Sequence, residues 1–307
     1  MPVTVKKLHT FTGHRNSVYT LQPSDCDSVF FSAGGDGMVV QWNLERPDDG
    51  QLLAQLPNSV YALNFHQPSG LLIAGQNFEG IHLLDWKNKK QVGSLKLSEA
   101  YIFDLQTTGN YVFAATGDGT LFVVDLNTLT VREKIKVSDK HVRSLSINEK
   151  AHELAAGYSD HSIRIFDLNM LTLKHEVHAH TNSVFTVRYM PGRSYLLSGS
   201  RDARLKAWDM KAGYSLAGEV VAHLYAINHL DFSPDLKHFV TCSLDKSIKV
   251  WDATEMRLLK VIDKGRHAGH GTSVNRVLWT NHNNCLLSAS DDRTISVWDI
   301  NILDDAR

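Results

Sequence analysis

Short apolar runs alternate with polar residues along the whole chain, and each run stops at a turn signal. The stretch from His180 to Asp209 shows the pattern, with an alternating run from Val184, an apolar run from Leu196 and a third run that ends at Trp208. Runs of about four to eight residues bounded by turn residues are typical of β-strands. The sequence therefore predicts a chain built mainly of short strands.

The same three runs return at a regular period. The leading run begins at Val18, Val60, Ile102, Val142, Val184, Ile227 and Val274, at intervals of 42, 42, 40, 42, 43 and 47 residues. An aspartate marks the turn after the second run in most units, at Asp36, Asp118, Asp160, Asp202, Asp245 and Asp292. A period of about 40 to 45 residues is that of a four-stranded propeller blade. Seven such units are predicted.

Four Gly-His or Ala-His pairs and the Trp-Asp endings resemble the WD-repeat β-propeller family over residues 3 to 300. The pairs are Gly13-His14, Ala179-His180, Ala222-His223 and Gly269-His270. The resemblance implies an all-β fold: a seven-bladed β-propeller of four-stranded antiparallel blades, as a single domain over residues 1–307. We expect the N-terminal strand to close the last blade, because an open sheet edge invites aggregation.

In this family a His, a Ser or Thr, an Asp and a Trp form a hydrogen-bonded set within a blade. The resemblance implies four complete structural tetrads: His14, Ser32, Asp36 and Trp42; His180, Ser198, Asp202 and Trp208; His223, Thr241, Asp245 and Trp251; and His270, Ser288, Asp292 and Trp298. Units two to four have Leu56, Ser98 and Ser138 at the His position, so we expect their blades to rely on packing.

Other residue clusters suggest chemistry at first sight. The His, Ser and Asp of the tetrads are the components of a hydrolytic triad, but their recurrence at the same spacing favours a structural role. His175 and His178 lie close to His180, yet they fall on a predicted exposed outer strand, so we expect no metal site. The Gly34–Gly37 run precedes a strand and not a helix, which indicates a turn. No catalytic residue and no cofactor is predicted.

Composition narrows the choice of partners. The formal net charge of the 307 residues is −1, with no block of like charges, which argues against nucleic-acid binding. The cysteines, Cys26, Cys242 and Cys285, match neither a disulfide framework nor a zinc site, and we expect buried thiols. No signal-peptide pattern or membrane span is evident. We expect a cytoplasmic protein that is monomeric on its own and does not bind membranes.

In the family, the residues on either side of the first apolar residue of each inner strand border the central channel, on the face that carries the Asp turns. Aromatic and Arg side chains at such positions are typical of interface hot spots. The alternative is that the rings only plug the channel. The predicted partner-binding residues are Tyr19, Tyr61, Tyr101, Phe103, His141, Arg143, Phe185, Asn228 and Asn275.

The sequence favours a non-catalytic protein-interaction scaffold that binds a peptide or protein segment at this top rim. One alternative is an enzyme that uses the channel mouth, and another is a reader of methylated peptides through an aromatic cage. A long connection with Lys264, Arg266 and His267 falls on the same face. It either marks a binding face or is a tolerated surface insertion.

Overall fold

The computed structural model describes residues 3–302 and confirms the predicted fold class. The described residues form seven four-stranded antiparallel sheets arranged as the blades of a propeller. In six sheets the strands follow chain order from the channel outwards, and in the seventh the N-terminal strand takes the outer place. We number the blades one to seven in the order of their inner strands.

The strand bounds repeat from blade to blade. The inner strands are β2 Val18–Pro23, β6 Val60–His66, β10 Ile102–Thr108, β14 Val142–Asn148, β18 Val184–Tyr189, β22 Ile227–Phe232 and β26 Val274–Trp279. The second strands are β3 Val29–Gly34, β7 Leu71–Gln76, β11 Tyr111–Thr116, β15 Glu153–Tyr158, β19 Tyr195–Ser200, β23 His238–Ser243 and β27 Leu286–Ser290.

The third strands are β4 Met38–Asn43, β8 Gly80–Asp85, β12 Thr120–Asp125, β16 Ser162–Asp167, β20 Arg204–Asp209, β24 Ile248–Asp252 and β28 Ile295–Ile302. The outer strands are β5 Arg46–Gln55, β9 Lys90–Lys96, β13 Thr130–Lys136, β17 Leu173–His178, β21 Ser215–Val221, β25 Leu258–Ile262 and β1 Val3–Phe11. Short helical segments lie in connections: α1 Lys264–His267 and the 3-10 turns Met210–Ala212 and His282–Asn284.

The core lies between blades and not within them. Each inner strand contacts the inner strands of both neighbouring blades, so that the ring is closed around a channel. Apolar clusters join the facing sheets of adjacent blades; one of them brings Phe31 of blade one against Phe65 of blade two. A sheet covered on both faces buries successive residues, and every residue of β3 and β23 is buried.

The closure predicted from the sequence is confirmed. Strand β1 pairs with β28 in antiparallel register from Val3 opposite Ile302 to Phe11 opposite Ile295. Phe11 is 2 % exposed, and its ring lies 5.3 Å from that of Phe30 in blade one. The N-terminal strand therefore completes blade seven and also seals its junction with blade one.

The four tetrads share one chain of hydrogen bonds. In blade one the indole N–H of Trp42 donates to Ser32 Oγ (2.7 Å), Ser32 lies 2.7 Å from His14 Nε2, and His14 Nδ1 lies 3.0 Å from Asp36. Because the hydroxyl accepts from Trp42, its hydrogen is available to Nε2, which requires a neutral imidazole with hydrogen on Nδ1. The sets around His180, His223 and His270 repeat these bonds at 2.7–3.0 Å.

The expectation that blades two to four rely on packing alone is wrong for blade four. There Ser138 takes the place of the His and donates to Asp160 (2.7 Å), and the buried guanidinium of Arg164 lies 2.9 Å from the same carboxylate. Arg164 also pairs with Glu176 at 2.6 Å. Blade four therefore has a polar network of its own, because a half-buried aspartate needs donors whatever residue supplies them.

The turn aspartates should differ in their contribution to stability. Asp202→Ala leaves Nδ1 of the buried His180 without its acceptor and also removes the acceptor of the Thr181 and Arg204 N–H groups, so it should lower the free energy of unfolding by about 1–3 kcal/mol. Asp118→Ala should cost less, because Asp118 is exposed, accepts from Thr116 Oγ1 (2.6 Å) and the Thr120 N–H (3.0 Å), and has Ser98 where the complete tetrads have the His. Thermal and denaturant unfolding of the two variants would test the order, and equal losses would contradict it.

Acid should destabilise the protein through the tetrads. Burial lowers the pKa of His14 and of His223, so the unfolded chain takes up these protons first as the pH falls below about 6.5. Burial opposes ionisation of Asp292, but the hydrogen bond and charge of His270 together with the hydrogen bonds from Thr294 outweigh it and lower the carboxyl pKa to about 2. Stability should therefore fall from pH 6.5 downwards, and further once unfolded carboxylates protonate near pH 4.

Melting temperatures measured from pH 8 to pH 4 would test this dependence. His223→Gln should flatten the decline between pH 6.5 and 5, whereas His178→Gln, on the exposed part of an outer strand, should leave it unchanged. A decline of the same slope in both variants would contradict the assignment.

The three cysteines all lie in the described part of the chain and form no disulfide. Cys242 and Cys285 are buried and unpaired as expected, but the prediction is wrong for Cys26, which is exposed in the turn before β3. Within residues 3–302, no helix has the length and apolar character needed to cross a membrane.

Candidate functional site

One face of the propeller carries the starts of the inner strands together with the turns between second and third strands. In all seven blades a turn amide donates to the carbonyl of the residue before the inner strand, as Gly35 N–H does to Ser17 O (2.9 Å) and Arg201 N–H to Ser183 O (2.9 Å). We call this the top face. The four tetrad aspartates lie in its turns, so the top face is held rigidly.

A β-bulge lies at the second residue of each inner strand. In β6, for example, Val60 and Ala62 pair with consecutive residues of β7, so that Tyr61 has no partner of its own. A bulge turns a side chain away from the regular alternation. The seven bulged residues are Tyr19, Tyr61, Phe103, Arg143, Phe185, Asn228 and Asn275.

These side chains line a cavity of about 430 Å³ at the channel mouth. All nine residues predicted to bind a partner line it: Tyr19, Tyr61, Tyr101, Phe103, His141, Arg143, Phe185, Asn228 and Asn275. The volume lies within the usual range of ligand pockets, about 300–1000 Å³. We call this cavity the mouth.

Four further lining residues were not among the predicted set: Asp104, Ser144, His229 and Arg276. Each directly follows a bulged residue. Simple alternation would turn such a residue away from the channel, but the bulge lets two successive side chains face it. Each of the four lies two positions after the start of an inner strand, so the sequence marks its place. Its side-chain direction could be predicted only with the bulge known.

Aromatic rings form an arc on the side of blades one to three. Tyr61 is its centre, with ring centroids 4.6 Å from Tyr19, 6.0 Å from Tyr101 and 5.9 Å from Phe103. Phe78, which the sequence did not single out, extends the arc with its ring 4.7 Å from that of Tyr101. Tyr101 and Phe78 are about 40 % exposed, so the arc presents apolar surface to solvent.

Arg143 lies between two of the mouth's rings. Its guanidinium carbon is 4.0 Å from the ring centroid of Phe103 and 4.6 Å from that of Phe185. Burial lowers the pKa of Arg143 to about 10, and the nearby charge of Arg201 acts in the same direction. The cation therefore packs over both rings.

The side of blades six and seven is polar and internally bonded. The amide of Asn228 donates to Val274 O (2.8 Å), and that of Asn275 donates to Val18 O (3.0 Å) and Asp291 (2.8 Å). Each asparagine thus bridges its own blade to the next one. Their donors are already used in the ring, whereas Arg143 lines the same cavity with no hydrogen-bond acceptor within residues 3–302.

Three exposed apolar residues lie on the top face of blade six. Leu224 is 83 % exposed, Tyr225 61 % and Leu244 50 %. They directly follow the tetrad residue His223 or precede the turn residue Asp245, where the other complete tetrads have polar residues or glycine. Apolar groups in these turns have no role in closing the blade, so they add to the apolar surface of the top face.

The long connection with Lys264, Arg266 and His267 leads from the end of β25 to the start of β26, so it lies on the top face as predicted. It forms α1, and Ala268 O accepts a hydrogen bond from Lys7 of β1 (3.1 Å). These three residues do not line the mouth, so the connection lies at the periphery of the top face, beside the outer strand of blade seven. His175 packs against Tyr214 (5.3 Å between ring centroids), and His178 lies 3.4 Å from Ser162 Oγ.

Comparison with known proteins places these features in context. The family model for the WD domain, G-beta repeat, matches residues 5–43, 171–209, 215–252 and 263–299. These segments contain the complete tetrads, and the unmatched residues 44–170 contain blades two and three and most of blade four, whose tetrads are degraded.

Curated relatives match parts of the chain. The "WD repeat-containing protein 91 homolog" of Dictyostelium discoideum is 25% identical over 65% of this chain and 27% of its own length. The "Striatin homolog" of the same organism is 24% identical over 68% and 30%. The "Target of rapamycin complex subunit LST8-1" of Arabidopsis thaliana is 33% identical over 32% of each chain. The matched part spans less than a third of these relatives' own length.

A solved structure, "Crystal structure of WD40 beta propeller domain of Doa1", superposes over 97% of both chains with a TM-score of 0.84 at 16% sequence identity. This likeness concerns the fold. Seven blades of four strands, four complete tetrads and the family match to four repeats agree, and the chain belongs to the WD-repeat family of β-propeller proteins.

Proposed function

We propose that the protein is a non-catalytic interaction scaffold that binds a peptide or protein segment at the mouth on its top face. The observation that carries the proposal is the exposed aromatic arc around Tyr61, which lies at one opening of a rigid ring beside the guanidinium of Arg143. Aromatic and Arg anchors of this kind supply most of the binding energy at protein interfaces.

The rest of the top face supports the same choice. Leu224, Tyr225 and Leu244 add exposed apolar surface next to the mouth's polar side, where a longer partner segment could continue. Among the named relatives, one is described as a subunit of a complex. Because the relatives are much longer than the matched part, we take the whole protein's partners from none of them.

The methylated-amine variant receives less support. A cage for such a cation needs free ring faces, but Arg143 already covers the facing sides of Phe103 and Phe185 and would repel a second cation. The proposed ligand is therefore an ordinary peptide segment. No observation favours the enzyme alternative.

Site-specific photo-crosslinking would test the proposal. A benzoylphenylalanine placed at Tyr61 should crosslink a partner in an extract of the source cells. The same group at Tyr195 should not, because this exposed tyrosine begins the second strand β19 on the face opposite the mouth. Crosslinks to one partner from Tyr195 and none from Tyr61 would assign binding to the opposite face.

A further inference from the structure

The charges that line the mouth are unequal. Two arginines, Arg143 and Arg276, line it, and Asp104 is the one carboxylate among the described lining residues. The carboxylate of Asp104 is already engaged, because it accepts from the backbone N–H of Leu145 (2.8 Å) and from its own neighbour Leu105 (3.0 Å). The mouth thus has a local excess of positive charge in a chain whose net charge is −1.

Arg143 has no acceptor of its own within residues 3–302. No carboxylate lies within 4.0 Å of its guanidinium, and it donates no hydrogen bond there. The buried Arg164, which has a structural role in blade four, differs from Arg143 because it pairs with both Asp160 and Glu176. The rings of Phe103 and Phe185 pack against the guanidinium, and the N–H groups of Arg143 point along its edge, which is what a carboxylate binds in bidentate fashion.

We propose that the mouth binds an acidic peptide segment and that one of its Asp or Glu carboxylates pairs with the guanidinium edge of Arg143. This rests on the proposed function and names the chemistry of the partner. Arg276 also lines the cavity, but the carboxylates of Asp104 and Asp231 offset its charge, so Arg143 is the cation that the ligand pairs with. The arc around Tyr61 takes apolar side chains next to the acidic residue. A carboxylate would also replace the part of the hydration that the half-buried guanidinium has lost.

A matched pair of peptides tests the inference. A fluorescein-labelled peptide of alternating glycine and glutamate is compared with the same peptide carrying glutamine, by fluorescence anisotropy against the full chain. The glutamate peptide should bind more tightly, and Arg143→Gln should weaken it by about tenfold to a hundredfold, the usual loss when a charged hydrogen-bond partner is removed. Arg143→Lys should fall between, because it keeps the charge and loses the bidentate edge.

The control is Arg132→Gln. Arg132 is likewise stacked on an aromatic ring, with its guanidinium 4.7 Å from the centroid of Tyr111, but it lies on the outer strand β13. It should bind the glutamate peptide as the wild type does. Equal losses in the two variants would show a general charge effect and overturn the inference, as would equal binding of the glutamate and glutamine peptides.

Three further outcomes distinguish failure of this inference from failure of the proposed function. A peptide with phosphoserine in place of glutamate that binds where glutamate does not would overturn the carboxylate assignment in favour of phosphate. Crosslinking of a partner from Tyr61 without binding of the acidic peptide would overturn this inference and leave the proposed function standing. Binding of the acidic peptide that depends on Arg143, with partner crosslinks only from Tyr195, would support the inference and overturn the proposed function.

Discussion

Deletion of residues 1–11 should cost the propeller most of its stability and cause aggregation. Strand β1 is the outer strand of blade seven, so its removal exposes the hydrogen-bonding edge of β28 and the apolar surface that Phe11 covers. An unpaired strand edge with apolar neighbours is a template for association between chains. Size-exclusion chromatography and thermal melting of the truncated chain would measure the effect.

Point variants test the role of β1 in closing the ring without shortening the chain. Phe11→Ala should destabilise by about 3–5 kcal/mol, the usual cost of removing a buried aromatic ring. Leu8→Ala is the control, because Leu8 lies on the same strand, is 48 % exposed and sits at its register shift, so its loss should cost within about 0.5 kcal/mol. A truncated chain that stays monomeric and melts near the full-length temperature would contradict the closure model.

Tyr61→Ala should weaken binding of the natural partner by about 10- to 100-fold, the effect of removing a central hot-spot residue. Tyr61 contacts Tyr19, Tyr101 and Phe103, so its loss removes the middle of the arc. The residue is partly exposed and belongs to no tetrad, so we expect the melting temperature to change little. Binding would be measured by titration of the purified partner that crosslinks at the mouth.

Two control variants on the opposite face test whether the loss of binding is specific to the mouth. Tyr195→Ala removes an exposed tyrosine from the beginning of a second strand, and Lys150→Ala removes a charge from the turn that follows an inner strand. Both should bind as the wild type does. Loss of binding in these variants and not in Tyr61→Ala would place the interface on the other face of the propeller.

Arg143 shows why part of the site was accessible to sequence reasoning and part was not. Its place beside the first apolar residue of an inner strand identified it as a mouth residue. Its sandwich between Phe103 and Phe185 depends on residues about 40 positions away on either side, brought together only when three inner strands lie side by side. The absence of a carboxylate for it is likewise a property of the assembled ring.

The tetrads show the same division. Where His180, Ser198, Asp202 and Trp208 stand at the family's spacing, the sequence predicted their association, because all four belong to one blade and its local turns. In blade four the network of Asp160 uses Arg164 from the third strand and Glu176 from the outer strand. No spacing rule covers such a substitution, since the requirement is only that a buried carboxylate find donors.

The sequence by itself determined the seven blades, the closure by the N-terminal strand and the face on which the mouth lies. The blades follow from apolar periodicity and turn residues, which act over a few positions along the chain, and the closure follows from the extra strand ahead of the first unit. The face of the mouth follows from the resemblance to the WD-repeat family. Only the tertiary structure decided which side chains enter the mouth together. The bulge at the second residue of each inner strand turns Arg143 and Ser144 both towards the channel, and closure of the ring then sets the charges and rings of distant blades against one another.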